Sequence, residues 1–472
     1  MNRLRRTVIL ATSVVALLVP AVAPAAPAVA PAVPSAHSAA SAQYVVVLKD
    51  SVGDPKAASA AQVKAHGGTV RGVYSHAFKG YAAELTPDQA ARLGSDPGVR
   101  FVKRSRGFHR PASHPEAKPV RCGTPESATG QCLANWADRV EAERSSARSG
   151  DGRGSVGVHV AVIDDGIAGG HPDLNVRGGV DCSTGSPVVP GNSLSPVTPH
   201  GTAVAGVVGA RDDEQGTVGV APGTPLWAVN VFDGATEDAT DAAVLCGIEW
   251  VTATRTDGDP ANDITIANMS IDGSGTDDGK CGTVDHDVLH MAVCAAVRAG
   301  VTLVVNAGND HADFRGSIPA AYDEVLTATA MADFDGRPGG RAEPVCYGTD
   351  LGDLGDADDQ AVLGFSNFAT SAADRRHAVA APGDCMETTY LSPGFFALVA
   401  GTSFSAPVVT GVTALCVSVG RCGTDSPGRN LRTIVNDAKK ANTKQPRYGF
   451  FGDPLRPIPG RYYGHLVTAD RY

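Results

Sequence analysis

Apolar, β-branched runs alternate with segments of helical spacing along most of this chain, and the transitions fall at a few polar residues. Residues 158–163 (Val-His-Val-Ala-Val-Ile) read as a strand buried on both faces of a parallel sheet, with Asp164 at its carboxyl end. Residues 301–305 repeat the pattern and run into Ala307-Gly308-Asn309. Gly201 and Thr202 open a helix continued by Ala203, Val204, Ala205 and Val207, with His200 at its first turn. Ser403 precedes a longer apolar helix, with Pro407 near its start, where a missing N–H is tolerated. The expected architecture is α/β, a mainly parallel sheet with helices on both faces, over residues 120–472. Open sheets of this kind carry functional groups at the carboxyl ends of their strands.

A second, smaller pattern occupies residues 43–111. Residues 44–48 are strand-like and 55–66 helix-like, and residues 70–85 hold two strand patches around Gly80. Thr86-Pro87 caps a short helix, and Arg100-Phe-Val-Lys closes the unit. The order β-α-β-β-α-β predicts a small α+β sandwich. Before it, residues 1–42 carry Arg3, Arg5 and Arg6, then an apolar stretch of 13 residues (8–20), then Ala and Pro. This reads as a secretory signal peptide, too short to span a bilayer, with cleavage options that include Ser41-Ala42. Nothing later reads as a membrane span, so a soluble, secreted, extracellular product is expected, and a monomer.

Charge separates the two units. Residues 1–110 hold 14 Lys and Arg against 5 Asp and Glu, whereas the remainder holds 26 against 45, within a total net charge of −10. Complementary fields of this kind speed docking and fix orientation. The acidic remainder argues against nucleic acid as a partner. The ten cysteines, all from Cys122 onward, read as disulfides in an exported chain, with Cys122–Cys132 and Cys416–Cys422 expected as near neighbours.

The chemistry lies in Asp164, His200 and Ser403. A serine hydroxyl needs an imidazole to take its proton and a carboxylate to orient that imidazole. The wording around them is Asp164-Asp-Gly-Ile, His200-Gly-Thr-Ala-Val-Ala-Gly and Gly-Thr-Ser403-Phe-Ser-Ala-Pro. It continues through His171-Pro-Asp-Leu, Gly219-Val-Ala-Pro, Asn268-Met-Ser-Ile, Val304-Val-Asn-Ala-Gly-Asn309, Phe365-Ser-Asn and Ala380-Ala-Pro-Gly. From about residue 136 to the C-terminus the chain resembles the subtilisin-like serine proteases, the subtilases. The unit 43–111 resembles their inhibitory propeptide, which aids folding and then plugs the cleft.

The resemblance implies a secreted endopeptidase acting on extended polypeptides through an acyl-enzyme. Asp164 would be the orienting acid, His200 the general base and acid, Ser403 the nucleophile, and Asn309 a donor to the oxyanion. It implies that Ser270, Ile271, Asp272 and Gly273 pair with substrate and wall the S1 pocket, with Asn306, Ala307 and Gly308 opposite. No catalytic cofactor is implied. Structural calcium is, through Asp173 and, in the loop 211–217, Asp213.

Asp272 stands where the family usually has glycine; an acid beside S1 is open to two readings, selection of a basic P1 residue or exposure to solvent, and the carboxylate is expected to face solvent. Asp165, where Ser or Thr is usual in bacterial enzymes, is similar to the kexin-like branch. The acidic stretch 350–359 reads as a solvated loop. Two other readings stay open: a non-catalytic scaffold on the same fold, and a processing protease of narrow specificity.

Overall fold

A computed structural model of the chain describes residues 40–110, 131, 133–234, 238–343, 357–391 and 396–472. The signal-peptide reading and the Cys122–Cys132 pairing lie outside the described residues.

The basic unit comprises β1 (Ala42–Leu48), α1 (Pro55–His66), β2 (Thr69–Tyr74), β3 (Gly80–Leu85), α2 (Pro87–Gly94) and β4 (Val99–Arg104). Its strands form one antiparallel sheet in the order β2-β3-β1-β4. Thr86 caps α2 through a reciprocal box with Gln89, which satisfies two helix-end N–H groups. The run Val45-Val-Val-Leu48 is apolar throughout because both faces of β1 are covered. Val46 and Leu48 pack in the unit's own core, while Val45 and Val47 join a core shared with the larger unit. A short strand, β5 (Gly107–His109), follows.

The larger unit opens with α3 (Asn135–Arg139), β6 (Val160–Asp164), β7 (Val176–Asp181), α4 (His200–Gly209), β8 (Leu226–Asn230) and β9 (Asp238–Thr240). It continues with α5 (Asp241–Thr254), β10 (Ile266–Met269), β11 (Gly273–Ser274), α6 (Val288–Arg298), β12 (Thr302–Asn306), β13 (Ser317–Ile318) and β14 (Leu326–Ala332). It ends with β15 (Gln360–Ala361), β16 (Ala378–Pro382), β17 (Met386–Thr389), β18 (Phe396–Val399), α7 (Thr402–Ser418) and α8 (Pro427–Lys444). Strands β14-β12-β10-β6-β8-β7 pair in parallel, β16 adds in parallel to β14, and β15 pairs with β14 antiparallel.

Successive residues of a strand point to opposite faces, and the two cores follow that rule. Val160 and Val162 of β6 pack with α4, α7 and α8, and Ala161 and Ile163 with α5 and α6. The continuous apolar runs therefore mark a sheet covered on both sides, as the sequence predicts. Cys416–Cys422 is formed, joined by Cys182–Cys246 and Cys281–Cys294, and Cys385 is also disulfide-bonded.

The expectation of a solvated acidic loop fails at its end. Asp358 and Asp359 are buried: Asp358 accepts the N–H groups of Phe334, Arg341 and Ala342, and Asp359 answers the wholly buried guanidinium of Arg139, which requires anions. It pairs with Asp333 at 2.9 Å and Asp359 at 2.7 Å, and donates to the Tyr448 carbonyl at 2.7 Å. Removing the cation leaves two buried carboxylates with backbone N–H donors but no countercharge. Arg139→Ala is expected to cost about 3–5 kcal/mol and to lower Tm by roughly 10 °C in a thermal melt. A melt within 2 °C of wild type, on the order of 1 kcal/mol or less, would show the pair to be dispensable.

Candidate active site

Asp164 is the last residue of β6 and His200 the first of α4, so both sit at the carboxyl edge of the sheet. Both Asp164 carboxylate oxygens lie within reach of His200 Nδ1, at 2.8 and 2.9 Å. A carboxylate there makes Nδ1 the protonated nitrogen and leaves the lone pair on Nε2. Ser403 is the second residue of α7, and the ring of its neighbour Phe404 lies 5.2 Å from the His200 ring. His200 Nε2 and Ser403 Oγ are both buried and make no hydrogen bond. A basic nitrogen and a hydroxyl without competing partners are what proton transfer between them needs; such bonds often tighten only with substrate bound.

Pro407 differs from expectation. It lies inside α7, where its absent N–H would have met the Ser403 carbonyl. Ser270 Oγ donates to that carbonyl instead, at 2.9 Å, and in turn accepts from Asn268 Nδ2 at 2.9 Å. The Ser270 side chain therefore braces the start of α7 rather than facing the cleft. Asn309 Oδ1 accepts from the Thr402 N–H (2.9 Å) and hydroxyl (2.6 Å), which fixes the amide and leaves Nδ2 as its donating end.

The remaining predicted residues lie on two segments, 270–273 and 306–308. Ile271 and Ala307 are wholly buried in the core shared by α5 and α6. Asn306 ends β12, is 1 % exposed, and leaves its Oδ1 without a hydrogen bond. Asp272 does not face solvent: it is 4 % exposed, and its Oδ2 lies 3.0 Å from where a Cβ on Gly308 would stand. The side chain turns inward between the two segments. Burial, reinforced by the Asp310 charge, raises its carboxyl to about 7.

Strand β5 occupies this cleft. It pairs antiparallel with β9, and His109 exchanges both backbone hydrogen bonds with Asp272 at 2.9 Å. Phe108 packs on Gly273, where any Cβ would come within 2.5 Å of its ring; only glycine admits that approach. Arg110 then reaches Asp165, the residue after Asp164, at 3.1 Å. Burial, with the Asp164 charge next, pushes the Asp165 carboxyl well above its ordinary value. The basic unit is latched elsewhere by Glu249 of α5, whose carboxylate accepts the backbone N–H groups of Ser75, His76 and Ala77.

A family model described as "Subtilase family" matches residues 155–450, and one described as "Peptidase inhibitor I9" matches residues 43–110. The chain belongs to the subtilase family. It is 29 % identical over 356 residues to an extracellular serine proteinase of Thermus sp. (strain Rt41A), covering 74 % of this chain and 68 % of that one. It is 26 % identical over 387 residues to subtilisin E of Bacillus subtilis (strain 168), covering 81 % of each. The solved structure of fervidolysin from Fervidobacterium pennivorans superposes with a TM-score of 0.62 at 21 % identity, over 92 % of this chain and 61 % of that one, and supports the fold. This subtilase is accordingly a serine endopeptidase with a subtilisin-like fold and an inhibitor-type pro-unit.

Gln131, which sequence reading missed, lies against the loop 211–217, whose Thr217 N–H donates to Asp173. Its Nε2 stands 2.6, 3.1 and 3.1 Å from the carbonyls of Arg211, Gln215 and Thr217, three acceptors for an amide with two N–H groups. Gln131 Oε1 and Asp173 Oδ1 are buried without a hydrogen bond. Asp213 stays exposed on the same loop. Three other ligand groups occur among the described residues, Asp333/Asp335/Asp358, Asp277/Asp278/His290 and Cys281/His290/Cys294/Glu324, the cysteines of the last being joined in a disulfide. Arg139 already pairs with the first, and His290 Nε2 is bound by Glu324 in the second.

Proposed function

We propose that the chain is exported as a zymogen, cuts itself near the junction of its two units, and then hydrolyses extracellular proteins. The observation that carries this reading is β5, laid as a substrate-like strand between β9 and Asp272 and leading toward Asp164, His200 and Ser403. Strand addition gives affinity through main-chain bonds and leaves side chains to set selectivity.

In the mechanism, His200 Nε2 takes the Ser403 proton as Oγ attacks the scissile carbonyl. Asp164 holds the imidazole in the required tautomer and stabilises it once charged. The tetrahedral oxyanion lies at the N-terminal end of α7, where Asn309 Nδ2 and the Ser403 N–H donate to it. His200 returns the proton to the leaving amine, an ester on Ser403 remains, and water releases it by the same steps in reverse. Residues 1–42 act as the export signal and 43–111 as inhibitor and folding aid; the peptidase spans 120–472 and works as a monomer.

Calcium is proposed as a structural ion. Gln131, Asp173 and the carbonyls of residues 211, 215 and 217 form an all-oxygen set once the amide presents Oε1, with Asp213 beside it; such sets suit this hard cation.

The processed protein should hydrolyse a denatured protein such as casein. Asn309→Ala should lower kcat by about 10²–10³ with little change in KM, because the lost bond forms only in the transition state. An unchanged kcat would remove Asn309 from the mechanism.

A further inference from the structure

We propose that the cleft measures two basic residues four positions apart, Arg-X-X-X-Arg or its lysine equivalents, one held between Asp241 and Asp287 and the other against Asp165. The proposal rests on the protease reading above and takes residues 106–110 as the pattern of a bound substrate.

Exposure along this segment alternates. Gly107 and His109 face outward, while Arg106, Phe108 and Arg110 turn toward the larger unit. That is the period of an extended strand, in which every second side chain is read by the surface beneath. Pairing on both edges, to β9 and to Asp272, fixes the register, so positions 106 and 110 stand about 13 Å apart at set places.

The first place is built of enzyme residues. Asp241 begins α5 and Asp287 caps α6, and their side chains are 0 and 5 % exposed. Arg106 bridges them, with Nη2 at 2.6 Å from Asp287 Oδ1 and 3.0 Å from Asp241 Oδ1, and Nη1 at 3.1 Å from Asp287 Oδ2. The Asp287 carboxylate is held independently of Arg106. It accepts the Tyr322 hydroxyl at 2.8 Å and the N–H groups of Leu289 and His290 at 3.0 and 3.3 Å. Two anions this close are costly without a cation between them. When the pro-unit leaves, the place remains and favours another guanidinium or ammonium.

The second place adjoins the triad. Arg110 Nη1 lies 3.1 Å from Asp165 Oδ2 and 3.0 Å from Thr198 Oγ1, and the guanidinium stands 5.6 Å from the centre of the Phe232 ring. Gly201 N–H fixes the other Asp165 oxygen at 2.7 Å, and the Thr198 hydroxyl donates to the same oxygen as Arg110. A carboxylate oriented by neutral donors, over an aromatic face, selects a planar cation.

The test uses the processed enzyme and quenched fluorescent peptides carrying residues 106–115 of this chain, with alanine or glutamate at either arginine position. Each arginine-to-alanine change should lower kcat/KM about tenfold or more, and glutamate further. Asp287→Asn should remove the discrimination at the first position alone, and Asp165→Asn at the second alone. Equal rates across the series from an enzyme that digests casein would overturn the proposal and leave both places as anchors for the pro-unit. If neither casein nor any peptide is cut, the protease reading fails and takes this one with it. The wild-type series decides the matter even if an aspartate variant does not fold.

Discussion

Ser403→Ala is expected to accumulate as a chain that has lost its export signal but keeps residues 43–110, while the wild type loses them. Intact mass of the secreted protein reads the difference. The expectation follows from where the pro-strand leads. Arg110 is bound at Asp165, next to the carboxylate that orients His200, so the residues just after it are those delivered to Ser403. A cut within a few residues of Arg110 is therefore expected. On a peptide substrate the variant should lose at least about 10⁴ in kcat, keeping only what substrate binding and the oxyanion donors supply. Identical processing of both proteins would assign the cut to another protease. Retention of the pro-unit by both would favour a non-catalytic scaffold.

What the sequence reveals and what it hides divide along a physical line. Period is local, so a strand covered on both faces shows as the unbroken run 158–163, and α1 shows as Pro55-to-His66 spacing with matching ends. The places of Asp164, His200 and Ser403 are legible for the same reason, each being written as a transition between a strand or loop and a helix. The fate of a polar side chain is not local. Arg139 is buried because Asp333 and Asp359, about two hundred residues on, fold around it, and the same contact turns the end of a predicted solvated loop inward. Asp272 faces the opposite wall because Gly308 leaves room there. Gln131 has no motif of its own; only the fold places it against residues 211–217. Pro407 was readable as a helix-start residue, yet its lost bond matters through Ser270, which lies on a different element.

Removing calcium is expected to destabilise the fold by several degrees and to speed inactivation. Asp173 is buried beside Asp213, and with no cation, burial pushes its carboxyl to about 7 despite the Thr217 N–H that opposes the shift. Three carbonyls converge on an amide that can serve two of them. A divalent cation would satisfy these groups together, and it binds the folded chain far better than the unfolded one. At 100 to 1,000 times its Kd it would contribute about 2.7–4.1 kcal/mol, or roughly 10 °C in Tm for a domain of this size. The loop 211–217 also follows α4, the helix that His200 begins, so its loosening would open a segment one helix away from the base. In a protease, local opening exposes chain to its own kind, and inactivation should quicken more than the shift in Tm suggests. The measurement is a melt with and without chelator, with calcium restored and magnesium as control. A Tm that does not move would dismiss the ion. A fall reversed by calcium, and absent in an Asp173→Ala variant that already melts low, would place it at this loop.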